Sequence, residues 1–183
     1  MLDQISELVK QFGGDAIVNN QSVPNEQNEA VMNETGNSIL SGLKNMVAQG
    51  NVNDIAGLLK GGNIDASHPV VQQLTQQLSG NLGEKFGLSN DAASGVAGNM
   101  IPKVLGSLIG KANDPNQPGF NVSDIVNSIG GNSGLMDAVT KYGGQFGLDQ
   151  NKDGKVDMSD ATAALSGKSG GFLGGLLGKF FGK

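Results

Sequence analysis

Ser89-Asn-Asp-Ala-Ala-Ser-Gly-Val-Ala-Gly-Asn-Met-Ile-Pro-Lys-Val-Leu-Gly-Ser-Leu-Ile-Gly-Lys111 is the segment of this chain that most strongly reads as buried. Small residues fill its first half, and Ile101, Val104, Leu105, Leu108 and Ile109 fill its second. A helix apolar on most of its sides normally lies in an interior. Proline removes a backbone donor and crowds the preceding turn, so Pro102 is expected to kink this helix or divide it in two. Downstream, Asn113-Asp-Pro-Asn-Gln-Pro-Gly119 is a loop by composition and the best candidate linker. No period-two strand of convincing length occurs anywhere, and the spacing of apolar residues predicts an all-α fold.

Moving outward, Asn51-Val-Asn-Asp-Ile-Ala-Gly-Leu-Leu-Lys-Gly-Gly-Asn63 returns as Asn121-Val-Ser-Asp-Ile-Val-Asn-Ser-Ile-Gly-Gly-Asn132. Each reads as a short capped helix closed by paired glycines. Each is followed by an amphipathic segment ending in a similar phrase, Lys85-Phe-Gly-Leu88 or Gln145-Phe-Gly-Leu148. This predicts a repeated helix-glycine-helix unit. At the N-terminus, Leu2, Ile5, Leu8, Val9 and Phe12 share one helical face. That helix closes on a similar phrase, Gln11-Phe-Gly13, where Gly13-Gly14 is expected to stop it. A polar loop with Pro24 follows, and then a helix predicted to start at Asn25 as cap, with Glu26 and Glu29 near its positive end. Asn28 stands where a capping box needs Glu or Gln. This helix is expected to be interrupted at Gly36 and to run toward Ala48, burying Ile39, Leu40, Leu43, Met46 and Val47.

Lys85-Phe-Gly-Leu-Ser89, followed by Ala92-Ala-Ser94, Ala97 and Met100-Ile-Pro-Lys-Val-Leu105, is similar to the signature region of the YidB-like family of bacterial proteins. The resemblance implies a multihelical bundle and carries no activity with it. In organisation it covers roughly residues 37 to 135. The chain then divides into an N-terminal helix and loop (1–24), a YidB-like helical domain (25–148), an ion loop with its exiting helix (149–167) and a tail (168–183). Shorter members of that family lack the loop and tail, so an ion site is not needed for the family fold.

Composition narrows the functional classes. Glycine supplies 30 of 183 residues, about twice the usual share of ~7%. Glycine weakens helix interiors, so these residues must serve as helix ends, close contacts or flexible tail, and stability is expected to be modest without a partner or ion. The net charge is −5 and all 12 basic residues are lysine. Without arginine, and with 4% aromatics, the chain lacks the usual means of reading nucleic acid. The absence of cysteine excludes disulfides, thiolate zinc sites and cysteine nucleophiles. The N-terminal residues do not resemble a signal peptide, and no apolar run is long enough to span a bilayer, so a cytoplasmic location is the expectation.

The sharpest chemical signal is Asp149-Gln-Asn-Lys-Asp-Gly-Lys-Val-Asp-Met-Ser-Asp160, an almost complete EF-hand loop. Such a loop presents oxygen at positions 1, 3, 5, 7, 9 and 12, with a glycine at position 6 for the turn. Asp149, Asn151, Asp153, the Lys155 carbonyl, Asp157 and Asp160 fill those places, and Gly154 holds the turn. Asp160 is shorter than the usual Glu and reaches bidentate coordination only if the exiting helix lies closer. Otherwise coordination falls toward six, which also suits Mg2+. The expected cofactor is therefore Ca2+ or Mg2+, bound more weakly than in a cytosolic buffer protein. The segment also looks like one half of a dockerin, which ends its loop in Asp, but dockerins carry two loops. A solvated acidic turn is the plainer reading.

Other motifs are weaker. His68 lies between Ser67 and Pro69 at a predicted helix start, which favours a capping or surface role over catalysis. Ser41 and Lys44 match a Ser-x-x-Lys spacing without its companion motifs. Gly167-Lys-Ser169 ends like a phosphate loop, but Thr162 replaces its first glycine. In the tail, Phe172-Leu-Gly-Gly, Leu176-Leu-Gly-Lys and Phe180-Phe-Gly-Lys183 repeat with a period of four. As a helix, this would place Phe172, Leu176 and Phe180 on one apolar stripe, with Leu173, Leu177 and Phe181 beside it, opposite glycine and lysine. Such a tail could cover its own core, dock on a partner or second copy, or lie on an anionic membrane. The leading expectation is a non-enzymatic ion-binding protein that acts through interaction or assembly. A membrane-surface protein and a small hydrolase are the alternatives.

Overall fold

The computed structural model describes residues 1–60, 64–114, 116, 117, 120–130 and 135. The chain divides into a unit over Met1–Val139 and a second over Thr140–Lys183, and all described residues belong to the first. Among the described residues every regular element is helical: α1 (Leu2–Gly13), α2 (Asn28–Ala48), α3 (Val52–Leu59), α4 (Pro69–Phe86), α5 (Asn90–Ala112) and α6 (Val122–Ile129). No helix among them is long and apolar enough to cross a membrane.

The central element is α5. Its buried residues are Ala92, Ala93, Val96, Ala97, Met100, Ile101, Val104, Leu105, Leu108 and Ile109, two adjacent positions repeated every four. Four residues turn an α-helix by about 400°, so this stripe winds about 40° around the axis at each repeat. A winding stripe lets one helix serve several neighbours, and α5 packs against both α4 and α1. The opposite face, with Asp91, Ser94, Gly95, Gly98 and Asn99, is exposed, so the helix is not apolar on most sides. Nor does Pro102 divide it. The carbonyl that Pro102 leaves without a donor belongs to exposed Gly98, where water can serve it, and ten buried residues hold the helix together.

The ends of α4 and α5 follow local rules. Ser89 caps α5 by accepting from the Ala92 N–H at 3.3 Å. Gly87 closes α4 in the left-handed region (φ 66°), with its N–H donating to the Gly83 carbonyl at 3.0 Å and Leu88 buried just beyond. The phrase Gln11-Phe-Gly13 behaves differently. Gly13 keeps right-handed helical geometry, and the chain continues through a π-turn over Gly14–Val18. The α-helix therefore ends at the glycine pair as expected, but through a π-turn rather than a left-handed cap. A Cβ on Gly13 would lie 3.0 Å from Met32 Cε, so that glycine serves the approach of α1 to α2.

Helix α2 is likewise uninterrupted at Gly36, which is buried where Ile5 and Ser6 of α1 come near. Asn25 does not cap it: a 3-10 turn over Asn25–Gln27 leads in, and no side chain caps the first turn. Val31, Ile39, Leu43, Met46 and Val47 are buried, while Leu40 is half-buried. Gly42 faces α4 so closely that a Cβ there would run into Leu74 Cδ2.

Helices α3 and α6 are the two short helices foreseen by the repeat. Asn121 caps α6 by accepting from the Asp124 N–H at 2.7 Å, whereas Asn51 makes no such bond to α3. At the end of α5, the Asn113 amide donates to the Leu59 carbonyl of α3 at 3.0 Å, tying the two helix ends together. The Gly61-Gly62 pair and the phrase Gln145-Phe-Gly-Leu148 lie outside the described residues.

Candidate functional site

The residues expected to ligate an ion, Asp149, Asn151, Asp153, Lys155, Asp157 and Asp160, the Gly167-Lys-Ser169 motif and the tail tetrads lie outside the described residues. Among the described residues, no group of three or more His, Asp or Glu is placed to hold a metal ion. What the described residues do offer is a cleft of about 340 Å3 between α2 and α4. From α2 come Glu34, Asn37, Leu40, Ser41 and Lys44, and from α4 come Asn81 and Lys85.

The two helices run antiparallel here, so that Glu34 meets Lys85 and Ser38 meets Asn81. Glu34 Oε2 accepts from Lys85 Nζ at 2.8 Å. Glu34 Oε1 accepts from Ser38 Oγ at 3.1 Å and from Asn81 Nδ2 at 3.1 Å. Asn81 Nδ2 also donates to Ser38 Oγ at 2.9 Å. The Glu34 side chain is 12% exposed and that of Lys85 55%, so a largely buried carboxylate is satisfied by a cation that still reaches water. Truncating one partner would leave the carboxylate short of donors in a poorly solvated place. The network fixes how α2 and α4 slide along one another.

Ser41 and Lys44, singled out by their spacing, line this same cleft. The Ser41 hydroxyl donates to the Ser38 carbonyl at 3.3 Å and accepts from Gln77 Nε2 at 3.4 Å. Its proton is directed at a backbone carbonyl rather than a base, so Ser41 is not arranged as a nucleophile. His68 also has a structural task. Its Nδ1 accepts from the Val70 N–H at 3.2 Å and caps α4, with Pro69 in the first turn. Just before it, the Ser67 hydroxyl and N–H both donate to Asp65 Oδ1. Those bonds, the hydroxyl's first, hold the Asp65 carboxyl below the usual carboxylate range.

Glu34, Ser38, Asn81 and Lys85 were not singled out by sequence. The available signal was two polar pairs at i, i+4, Glu34/Ser38 and Asn81/Lys85, each on a helix with a buried apolar face. No family model, curated protein or solved structure matches this chain.

Proposed function

We propose that this chain is a non-catalytic helical protein that binds one Ca2+ or Mg2+ ion through residues 149–160 and acts through protein interaction or assembly. The observation that carries this reading is the sequence of the loop. Asp149, Asn151, Asp153, the Lys155 carbonyl, Asp157 and Asp160 occupy all six oxygen-bearing positions, and Gly154 occupies the turn. Four carboxylates in so short a segment repel one another until a cation arrives, so binding to the folded form stabilises it. The bound ion would brace the segment that contains it and set the direction of the apolar tail.

Thermal unfolding of the full chain tests the reading. Adding Ca2+ at about 100 times its dissociation constant is expected to stabilise the protein by about 2.7 kcal/mol. Asp149→Ala is expected to abolish that rise and, with one of the four repelling carboxylates gone, not to lower the chelated protein's melting temperature. Equal melting temperatures in Ca2+, Mg2+ and chelator would remove the loop from the account.

A further inference from the structure

We propose that the α2/α4 cleft is a binding site for a small aliphatic monocarboxylate, independent of ion binding at residues 149–160. Three features of the cleft carry this.

The first is charge. Glu34, Lys44 and Lys85 line the cleft, so it holds one negative and two positive groups, in a chain whose net charge is −5. Glu34 consumes one donor of Lys85 at 2.8 Å, and an ammonium carries three. Lys85 therefore keeps donors for a ligand. Lys44 has no ion-pair or hydrogen-bond partner among the described residues. A monoanion in the cleft would balance its one negative and two positive groups. The largely buried Glu34 disfavours a doubly charged anion, which selects a carboxylate over phosphate at neutral pH.

The second is the neutral donors. The Asn37 amide lines the cleft and also has no partner among the described residues. Asn81 spends both Nδ2 hydrogens on Glu34 and Ser38, so it orders the network and leaves the donation to Asn37 and the lysines. Lysine and amide donors are the usual polar complement of a carboxylate.

The third is size and lining. A cleft of about 340 Å3 is at the lower end of small-molecule sites. Half-buried Leu40, packed against the core, gives it an apolar wall for a short alkyl chain. The ligand is therefore an acid of a few carbons, with its carboxylate between Lys44 and Lys85 and its chain against Leu40.

The test is a titration of the full chain with sodium butyrate, followed by backbone amide NMR in about 0.1 M salt, where distant charge effects are screened. The expected result is saturable movement of the Asn37, Ser41, Lys44 and Asn81 signals, with a dissociation constant on the order of 1 mM for so few atoms. Lys44→Gln, at an exposed position without a partner among the described residues, keeps the fold and is expected to weaken binding about tenfold. Butyramide, the uncharged isostere, is expected to leave these signals in place. Shifts that stay linear to about 50 mM, binding unchanged by Lys44→Gln, or inorganic phosphate binding as tightly as butyrate would each overturn the proposal.

Discussion

Gly42 shows how one missing side chain sets a helix crossing. A Cβ at Gly42 would run into Leu74 Cδ2 and lie 2.9 Å from Gln77 Oε1, whereas at Gly95 it meets nothing within 4 Å among the described residues. The same substitution is therefore expected to have opposite signs at the two positions. Gly42→Ala should destabilise the protein by about 2 kcal/mol through overpacking. Gly95→Ala should stabilise it by about 0.5–1 kcal/mol through helix propensity. Urea unfolding of both variants checks this, and equal effects would show that α2 and α4 do not meet at Gly42. At His68, the cap accepts with Nδ1, so His68→Ala should cost about 1 kcal/mol and His68→Asn should recover most of it. The capping role of His68 was legible because Pro69 marks a first turn. The roles of Gly13, Gly36 and Gly42 were not. In sequence a glycine that ends a helix and one that admits a neighbouring helix look alike, and the difference lies in residues far away along the chain.

At the scale of elements, the burial of α5 was legible from Ile101, Val104, Leu105, Leu108 and Ile109, but its exposed face and its continuity through Pro102 were not, because ten buried residues outweigh one lost backbone bond. Helix ends were less legible. Lys85-Phe-Gly-Leu88 closes a helix because Gly87 turns left-handed and Leu88 finds the core, yet Gln11-Phe-Gly13 runs on into a π-turn that buries Ala16 and Ile17. Tertiary burial decides between the two outcomes. The register of α2 against α4 rests on Glu34, Ser38, Asn81 and Lys85, which sequence did not single out because the partners are 43 to 51 residues apart. Asn81→Ala removes the amide that bridges Glu34 and Ser38, and Ser38 is only 2% exposed. This variant should lose about 1–3 kcal/mol, read from denaturant midpoints at constant m-value. A loss within a few tenths of a kcal/mol would make the network decorative.

For the whole molecule, the described residues form a helical body packed around α5, and the sequence of residues 149–160 is the chain's most specific chemical signal. The all-α architecture could be read before any coordinates, because apolar residues repeat at helical spacing and never alternate over a useful length. The cleft could not, because a cleft belongs to two helices at once. The two proposed sites are expected to be separable: Asp149→Ala should leave butyrate shifts intact, and Lys44→Gln should leave ion binding intact. The most direct measurement is a calorimetric titration of the chelated full chain with Ca2+ and then Mg2+, with Asp149→Ala alongside. The expected result is one saturable site per chain, lost in the variant. The absence of saturable heat, or equal binding by Asp149→Ala, would contradict the reading of residues 149–160 as an ion site.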